Sequence, residues 1–351
     1  MLLVNNPGSW SNTYPFLLHA GWHGFTIADL VFPMFLLIVG FSIGLSFERE
    51  RLKRQQRIVI RFFIIFLTGL VLNAINQPFI DFVSSGFQQS KGYDFISTFR
   101  YMGVLQRIAI CYLVTALVFL SLRRYLLAVI IVFIVAYELF MRWGFGTGNY
   151  DFSIENNFAR VADFAILGRD HIFRFAKGPD PEGLVSTINA IALTLGGALF
   201  YQWWFHAQKQ NILLAIATVV CCIALGLGMV PIEPLNKQLF TTSYLFFSAG
   251  ITITLLMVFH IVPYEFHLKP FISFIALGRN SFFIFVFSGL LAKSLASLKS
   301  GDFSIKTIFF EALNSLVFDP HLASLLFAFL FVVFFTLCCL YFYRRRIFFV
   351  I

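Results

Sequence analysis

Two histidines and an aspartate lie close together near the start of the chain, at His19, His23 and Asp29. Imidazole is the side chain most often used to transfer protons near neutral pH, and a nearby carboxylate can orient it. A spacing of four would also suit metal ligands on a helix, but Gly21 and Gly24 favour a loop here. No acidic residue or cysteine stands at a zinc-type spacing to them. We therefore expect no metal, and two roles remain open for His19: a general base, or a polar residue at the membrane boundary.

Asp29 also fits a structural role. Thr26 and Asp29 have the capping-box spacing, in which the carboxylate accepts from free backbone amides at the start of a helix. Pro33 has no amide hydrogen to donate to the carbonyl of Asp29, which predicts a kink and a free acceptor there. Helix cap and functional carboxylate both remain open, and one residue can serve as both.

The composition indicates a membrane protein. The 351 residues are 59% apolar and 12% charged, with a mean hydropathy of +0.83, which excludes an ordinary soluble domain. The net charge of +9 comes from basic residues at the ends of apolar runs, which indicates cytoplasmic loops and not nucleic-acid binding. We expect an all-α, polytopic transmembrane helix bundle forming a single domain over residues 1–351. Nine apolar runs are long enough to span a bilayer: 25–47, 58–76, 101–122, 125–142, 183–205, 211–232, 241–262, 271–296 and 322–343.

The distribution of basic residues predicts the orientation. The dense basic connector at 48–57 should be cytoplasmic, which places His19 on the outer face. Eight further helices return the chain to the cytoplasm at Arg344–Arg346, and the short connectors His206–Gln210 and Tyr264–Pro270 fall there too. The predicted outer loops are 77–100, 143–182, 233–240 and 297–320. The long loop 143–182, with a short amphipathic helix between Phe158 and Phe175, is a candidate lid or acceptor-binding cap.

Charged and amide side chains also occur where a membrane helix does not need them. Arg107 and Arg279 lie inside apolar segments, and an arginine there suits an anionic ligand such as a phosphate, although Arg279 could instead snorkel to the cytoplasmic surface. Asp180-Pro181-Glu182 is typical of a helix start and opens on the outer face. Asn236-Lys237 supplies another amide and cation on that face.

Four motifs in order resemble those of the heparan-alpha-glucosaminide N-acetyltransferase family. They are His19-Ala20-x-Trp22-x-Gly24-x-Thr26-x-Ala28-Asp29-Leu30-Val31-Phe32-Pro33, Gly103-Val104-Leu105-Gln106-Arg107, Asp180-Pro181-Glu182-Gly183 and Pro234-Leu235-Asn236-Lys237. The similarity covers essentially the whole chain. The Ser-Leu-Asp-x-x-Arg-Gly segment that opens the first helix in the family does not appear here, so residues 1–10 are expected to be the end of a truncated first helix.

The resemblance implies an enzyme that moves acetyl from cytosolic acetyl-CoA to an amino sugar or envelope glycan on the other side of the membrane. It implies that His19 is the catalytic residue, as base or as transient acetyl carrier, with Asp29 beside it, and that His23 has no catalytic role. The implied donor-binding residues are Asn5, Arg107, Asn236 and Lys237, and the implied acceptor-binding residues are Trp22, Asp180 and Glu182. We expect a bacterial homologue that lies in the inner (plasma) membrane and contacts its lipids. A homodimer is the assembly that we consider.

A sugar permease is the competing function, because it would also have about ten helices, polar residues at helix breaks and a gated outer loop. A purely structural membrane protein would leave the intramembrane charges unexplained. CoA binding separates the enzyme from the permease.

Overall fold

The fold was taken from a computed structural model, which describes residues 1–49, 54–144, 151–173, 178–205, 212–261 and 271–349. These residues do not include the predicted connectors at 206–210 and 264–270, or positions 50–53 of the predicted connector at 48–57. The helices are α1 (Leu2–Asn5), α2 (Ile27–Arg49), α3 (Arg54–Ala74), α4 (Gln77–Ser84), α5 (Gln89–Ser97), α6 (Val104–Ser121), α7 (Leu126–Trp143), α8 (Phe158–Ile166), α9 (Leu184–Phe205), α10 (Ile212–Met229), α11 (Thr242–Ile261), α12 (Ile272–Arg279), α13 (Ser281–Ser297), α14 (Ile305–Val317) and α15 (Pro320–Arg344).

Short elements complete the described chain. Single 3-10 turns occur at Pro15–Leu17, Arg123–Tyr125 and Arg169–His171. The strands β1 (Lys299–Ser300) and β2 (Phe303–Ser304) form an antiparallel hairpin in which Lys299 pairs with Ser304. The predicted all-α class is confirmed.

Eight of the described helices are long and apolar enough to cross a membrane: α2, α3, α6, α7, α9, α10, α11 and α15. These match eight of the nine predicted runs to within a few residues, so a multi-pass membrane bundle is confirmed. The helix α9 lies at the centre, with 78% of its span buried, whereas only 11% of the α10 span is buried. The outer helices therefore present their apolar side chains to lipid.

The ninth apolar run, 271–296, does not form the single helix that is predicted for it. Helices α12 and α13 replace it, and they meet at an angle of 79°. Asn280 lies at the break, where its side-chain Nδ2 donates to the carbonyl oxygen of Ala276 at 3.1 Å. A side chain that competes for helix carbonyls, next to Gly278 and Ser281, is a common physical cause of a sharp helix break.

Two predicted outer loops contain helices. The segment 77–100 contains α4 and α5, and the segment 297–320 contains the β-hairpin and α14. The amphipathic helix predicted between Phe158 and Phe175 is present but ends at Ile166. Residues 145–150 and 174–177 of the long loop fall outside the described part of the chain.

Close backbone packing fixes α2 against α9. A Cβ atom at Gly40 would overlap the carbonyl oxygen of Thr194, and one at Gly197 would overlap the carbonyl oxygen of Leu37. Glycine at both contact points lets the two backbones approach directly, as is common for small residues between membrane helices. The start of α2, which carries Asp29, is thereby held against the most buried helix of the bundle.

Candidate active site

The first turn of α2 is closed by a carboxylate. One oxygen of Asp29, Oδ2, accepts from the backbone amides of Ala20 and Thr26, both at 3.1 Å, and from the Thr26 hydroxyl at 3.0 Å. The amide of Thr26 is the donor that a capping box satisfies, so Asp29 does cap the helix. The Thr26 hydroxyl also lies 2.8 Å from the carbonyl oxygen of Leu18, which draws the preceding loop back over the helix start.

The second oxygen of Asp29 holds His19. Oδ1 lies 2.8 Å from Nδ1 of His19, and Asp29 is 1% exposed whereas the His19 side chain is 42% exposed. An ionised carboxylate can only accept, so Nδ1 carries the hydrogen and the lone pair of the neutral ring lies on Nε2. The geometry thus combines the two roles that the sequence left open for Asp29, and it leaves Nε2 as the basic atom.

The free carbonyl predicted at Asp29 has a partner. Pro33 lies inside α2, as expected, but the Tyr244 hydroxyl from α11 donates to the carbonyl oxygen of Asp29 at 2.6 Å. Tyr244 is fully buried, and its hydroxyl replaces the amide that proline lacks. The prediction of an unpaired acceptor is therefore wrong, and Tyr244 is a residue that the sequence alone did not single out.

The loop between α10 and α11 brings Lys237 to the histidine. Nζ of Lys237 lies 3.1 Å from Nδ1 and 3.2 Å from Nε2 of His19, and 3.7 Å from Oδ1 of Asp29. Burial lowers the pKa of Lys237, although Asp29 and Glu182 act in the opposite direction. Three of the predicted site residues therefore meet at one point.

Asn236 shapes that loop from within. It is fully buried, and its side-chain Oδ1 accepts from the backbone amide of Leu239 at 2.9 Å. The backbone amide of Asn236 donates to the Thr241 hydroxyl at 3.0 Å. Its Nδ2 lies 3.4 Å from Nδ1 of His23. Asn236 thus orders the segment that carries Lys237, and its predicted contact with the donor stays a prediction.

The acidic start of α9 is neutralised by Arg100. The guanidinium donates to Asp180 at 2.5 and 3.0 Å and to Glu182 at 2.5 Å. Burial alone would raise the pKa of Glu182, but the positive charges of Arg100 and Arg107 lower it below its ordinary value. Asp180 is fully buried and also caps the turn by accepting from the Glu182 amide at 2.8 Å. Arg100 lies 80 residues before its partner, so no sequence spacing pointed to it.

Arg107 lies deep in the bundle. It is 1% exposed, and it donates to the Thr187 hydroxyl at 3.1 Å, to the carbonyl oxygen of Gly183 at 3.2 Å and to the Ser186 hydroxyl. The Phe240 ring lies 5.6 Å from its guanidinium carbon. These contacts tie α6 to the first turn of α9, and a role in binding donor phosphates remains a prediction for Arg107.

Asp163 is a second residue that sequence reasoning missed. Its oxygens accept from the amides of Asp180 at 3.2 Å and Leu184 at 2.9 Å, so α8 supports the start of α9. Burial raises the pKa of Asp163 to about 7. An aspartate in the connection between two membrane spans offered no motif that would have marked it.

We expect the Asp163→Asn variant to change how stability depends on pH. Because the folded-state pKa of about 7 exceeds the ordinary value of 3.8, the wild type loses stability as the pH rises from about 4 to about 7. Asparagine removes this titration, so thermal unfolding in detergent between pH 5 and pH 8 should show a flatter profile for the variant. The exposed Asp94→Asn variant is the control. Parallel wild-type and Asp163→Asn profiles would contradict the assignment.

Trp22 and Asn5 lie on either side of the histidine. The indole of Trp22 donates to the carbonyl oxygen of Phe152 at 2.8 Å, so it anchors the long loop against the site. Asn5 is the last residue of the short helix α1 and lines the same cavity as His19. His23 is exposed, and partial burial lowers its pKa. Contact of Trp22 with the acceptor stays a prediction.

A long cavity of about 770 Å³ runs along α2. At one end it is lined by His19, Glu182 and Lys237, and at the other by Ser46, Arg61 and Arg279. Between them α2 contributes one stripe of side chains from Ala28 to Phe47, at spacings of three and four residues. The stripe is roughly 28 Å long at the rise of an α-helix.

The chain is similar in sequence to known proteins. The family profile described as heparan-alpha-glucosaminide N-acetyltransferase, catalytic, matches residues 11–160. The human heparan-alpha-glucosaminide N-acetyltransferase is 27% identical over 351 aligned residues, which cover 82% of this chain and 50% of the relative. The mouse heparan-alpha-glucosaminide N-acetyltransferase is 24% identical over 347 aligned residues, with the same coverage. The chain is therefore similar to both relatives over most of its own length, and it spans about half the length of either.

Proposed function

We propose that the chain is a membrane-bound acetyltransferase that moves acetyl from acetyl-CoA to the amine of an amino sugar. The observation that carries this proposal is the His19–Asp29 pair at the end of a cavity that runs along α2. A base fixed by a buried carboxylate supplies proton transfer, and the cavity supplies a route for a donor from the opposite side. The similarity to heparan-alpha-glucosaminide N-acetyltransferases supports the same reaction.

The chemistry follows from the free lone pair on Nε2 of His19. The acceptor nitrogen attacks the thioester carbonyl, the C–S bond breaks, and CoA leaves as a thiolate. Nε2 takes the proton that the attacking amine releases and then returns it to the thiolate sulfur. Asp29 holds the ring and stabilises the imidazolium between these two steps. Transient acetylation of His19 is the other route by which the same residue could act.

The shape of the cavity suits an extended donor. A volume of about 770 Å³ spread over roughly 28 Å admits one chain at a time, which matches a thioester arm more closely than a folded ligand. Arg61 and Arg279 lie at the end far from His19, where they are the described lining residues best suited to phosphates. The thioester would then reach His19 while the phosphates stay at the arginine end.

The acceptor would approach from the histidine end. Glu182 and Lys237 line the cavity there together with His19, and the carboxylates of Asp29 and Glu182 favour an incoming amine. We propose that this end faces outward in the plasma membrane, with the C-terminus on the cytoplasmic side. The basic connectors that favoured this orientation are the sequence feature that supports it.

Reconstituted vesicles test the proposal. Acetyl-CoA labelled in its acetyl group is added outside, and glucosamine is enclosed with the protein. We expect labelled N-acetylglucosamine inside, while CoA remains outside. Saturable sugar uptake without binding of CoA would contradict the proposal and favour a permease. Vesicles without protein are the control for leakage.

A further inference from the structure

Lys237 places a primary amine inside the proposed site. Its Nζ lies 3.1 Å from Nδ1 and 3.2 Å from Nε2 of His19, which is within the distance over which an amine can pass a proton to an imidazole nitrogen. Both residues line the same cavity, so a thioester that reaches one side chain also reaches the other. The protein therefore holds an amine of its own in the position of its substrate.

The position of this amine is built into the loop. The amide of Gly24 donates to the carbonyl oxygen of Leu235 at 2.8 Å, which joins the histidine loop directly to the lysine loop. Asn236 and Thr241 then fix the turn on either side of Lys237. The Lys237 side chain is 21% exposed, so most of it packs within the site.

The charges around Lys237 decide whether it can act as a nucleophile. An amine attacks only in its uncharged form. Burial lowers the pKa of Lys237, which increases the fraction of Lys237 side chains that are uncharged. Asp29 and Glu182 oppose this effect, whereas Arg107 adds to it. These groups, with His19, are the charged and titratable neighbours that face the ammonium.

We propose that Lys237 is a self-acetylation site that is modified when donor is bound and the acceptor is absent. Nζ of Lys237 attacks the thioester carbonyl, the C–S bond breaks, and CoA leaves as a thiolate. The proton released by Nζ passes to Nε2 of His19 and then to the thiolate sulfur. The product is an amide at Lys237 and free CoA, with no other reactant. This inference rests on the proposed acetyl-CoA-dependent activity.

Acetylation would inactivate the site. The amide has no positive charge, so Lys237 loses its attraction to Asp29, and the added acetyl group fills the space beside Nε2 of His19. An incoming amino sugar would then have no room next to the base. A large excess of donor over acceptor would thereby lower the number of active molecules.

The alternative is that Lys237 only forms an ion pair with Asp29. In that case Nζ stays protonated, does not react, and is acetylated no faster than any other lysine. Among the described residues, the exposed lysines Lys91 and Lys299 report the background of purely chemical acetylation. They provide an internal reference in every sample.

The test is peptide mass spectrometry of the purified full chain after incubation with acetyl-CoA and no sugar. We expect Lys237 to be acetylated at least about tenfold more than Lys91 or Lys299, and glucosamine to suppress this. His19→Ala and His19→Gln should both reduce modification of Lys237 to the level of the exposed lysines. Activity lost during preincubation with acetyl-CoA should equal the acetylated fraction.

Three results would overturn the inference. The first is that added sugar is acetylated while the acetylated fraction of Lys237 does not exceed that of Lys299. The second is undiminished modification of Lys237 in both His19 variants, which would show that no catalysis is involved. The third is no acetylation of either sugar or Lys237, in which case the proposed function fails as well. Modified Lys237 without any acetylated sugar would support the inference and contradict only the choice of acceptor.

Discussion

Replacing His19 with alanine should reduce acetyl transfer to glucosamine by about a thousandfold. General acid–base catalysis contributes about 10² to 10⁴ in rate, and His19 lines the cavity while Asp29 holds its Nδ1. The side chain is 42% exposed, so its removal leaves no large cavity in the core. The turnover number with saturating acetyl-CoA and glucosamine is the measurement, together with the thermal unfolding temperature.

The matched control is His23→Ala, which changes the same residue type four positions further along the same loop. His23 is exposed, and its Nδ1 lies 3.4 Å from Nδ2 of Asn236 and not near a carboxylate. We expect at most about a twofold change in turnover for this variant. Equal losses in the two variants, or retained activity in His19→Ala with an unchanged unfolding temperature, would exclude His19 as the base.

Asp29 offers a less selective test. Its carboxylate orients His19 and also caps α2, so Asp29→Asn would lower activity and stability together. Loss of a helix cap typically costs about 1 kcal/mol. A change in rate for that variant must therefore be read beside its unfolding temperature, whereas the His19 variant separates catalysis from folding.

Narrowing the far end of the cavity should weaken donor binding by at least about tenfold. Gly278 lines the cavity beside Arg279, and a Cβ atom built there meets no other atom within 4 Å. The Cβ atom of a Gly278→Leu variant would therefore enter open space, and the rest of the leucine side chain would add volume beside the cavity. We expect the KM for acetyl-CoA to rise at least tenfold while the KM for glucosamine stays within about twofold, because only the donor's route is obstructed.

Gly228→Leu on α10 is the control for this variant. A Cβ atom at Gly228 also has nothing within 4 Å, but Gly228 does not line the cavity. Its kinetic constants for donor and acceptor should match those of the wild type. An unchanged KM for acetyl-CoA in a folded Gly278→Leu variant would show that the donor does not use this cavity.

The parts of the structure that depend on local composition could be predicted. Eight spans follow from the length of apolar runs, because no shorter segment can cross a bilayer as a helix. The sequence also indicates His19 and Asp29, which are polar residues at the mouth of an apolar helix, and Lys237, a cation in the predicted outer loop 233–240. These segments are far apart in sequence, and the fold brings the three side chains together.

Long-range contacts could not be predicted. Tyr244 appears in sequence as one more aromatic residue of an apolar helix, and only the fold shows that its hydroxyl satisfies the carbonyl of Asp29. Arg100 and Asp180 are 80 residues apart, and neither segment has a feature that names the other. The angle between α12 and α13 depends on a side chain competing for a helix carbonyl, and hydropathy does not record that competition.

The break at Asn280 has a further consequence for access to the cavity. The backbone amide of Asn280 donates to Leu277, its carbonyl oxygen accepts from Ile284, and its side chain bonds the carbonyl of Ala276 and the amide of Phe349. In a straight helix the backbone amide of Asn280 would donate to Ala276 instead of Leu277, so the Asn280 side chain would lose that carbonyl, and the amide of Phe349 would lose its acceptor if the side chain moved. The corner beside Gly278 and Arg279 is thus tied to Phe349 near the C-terminal end of the described chain, and Phe349 lines the same cavity.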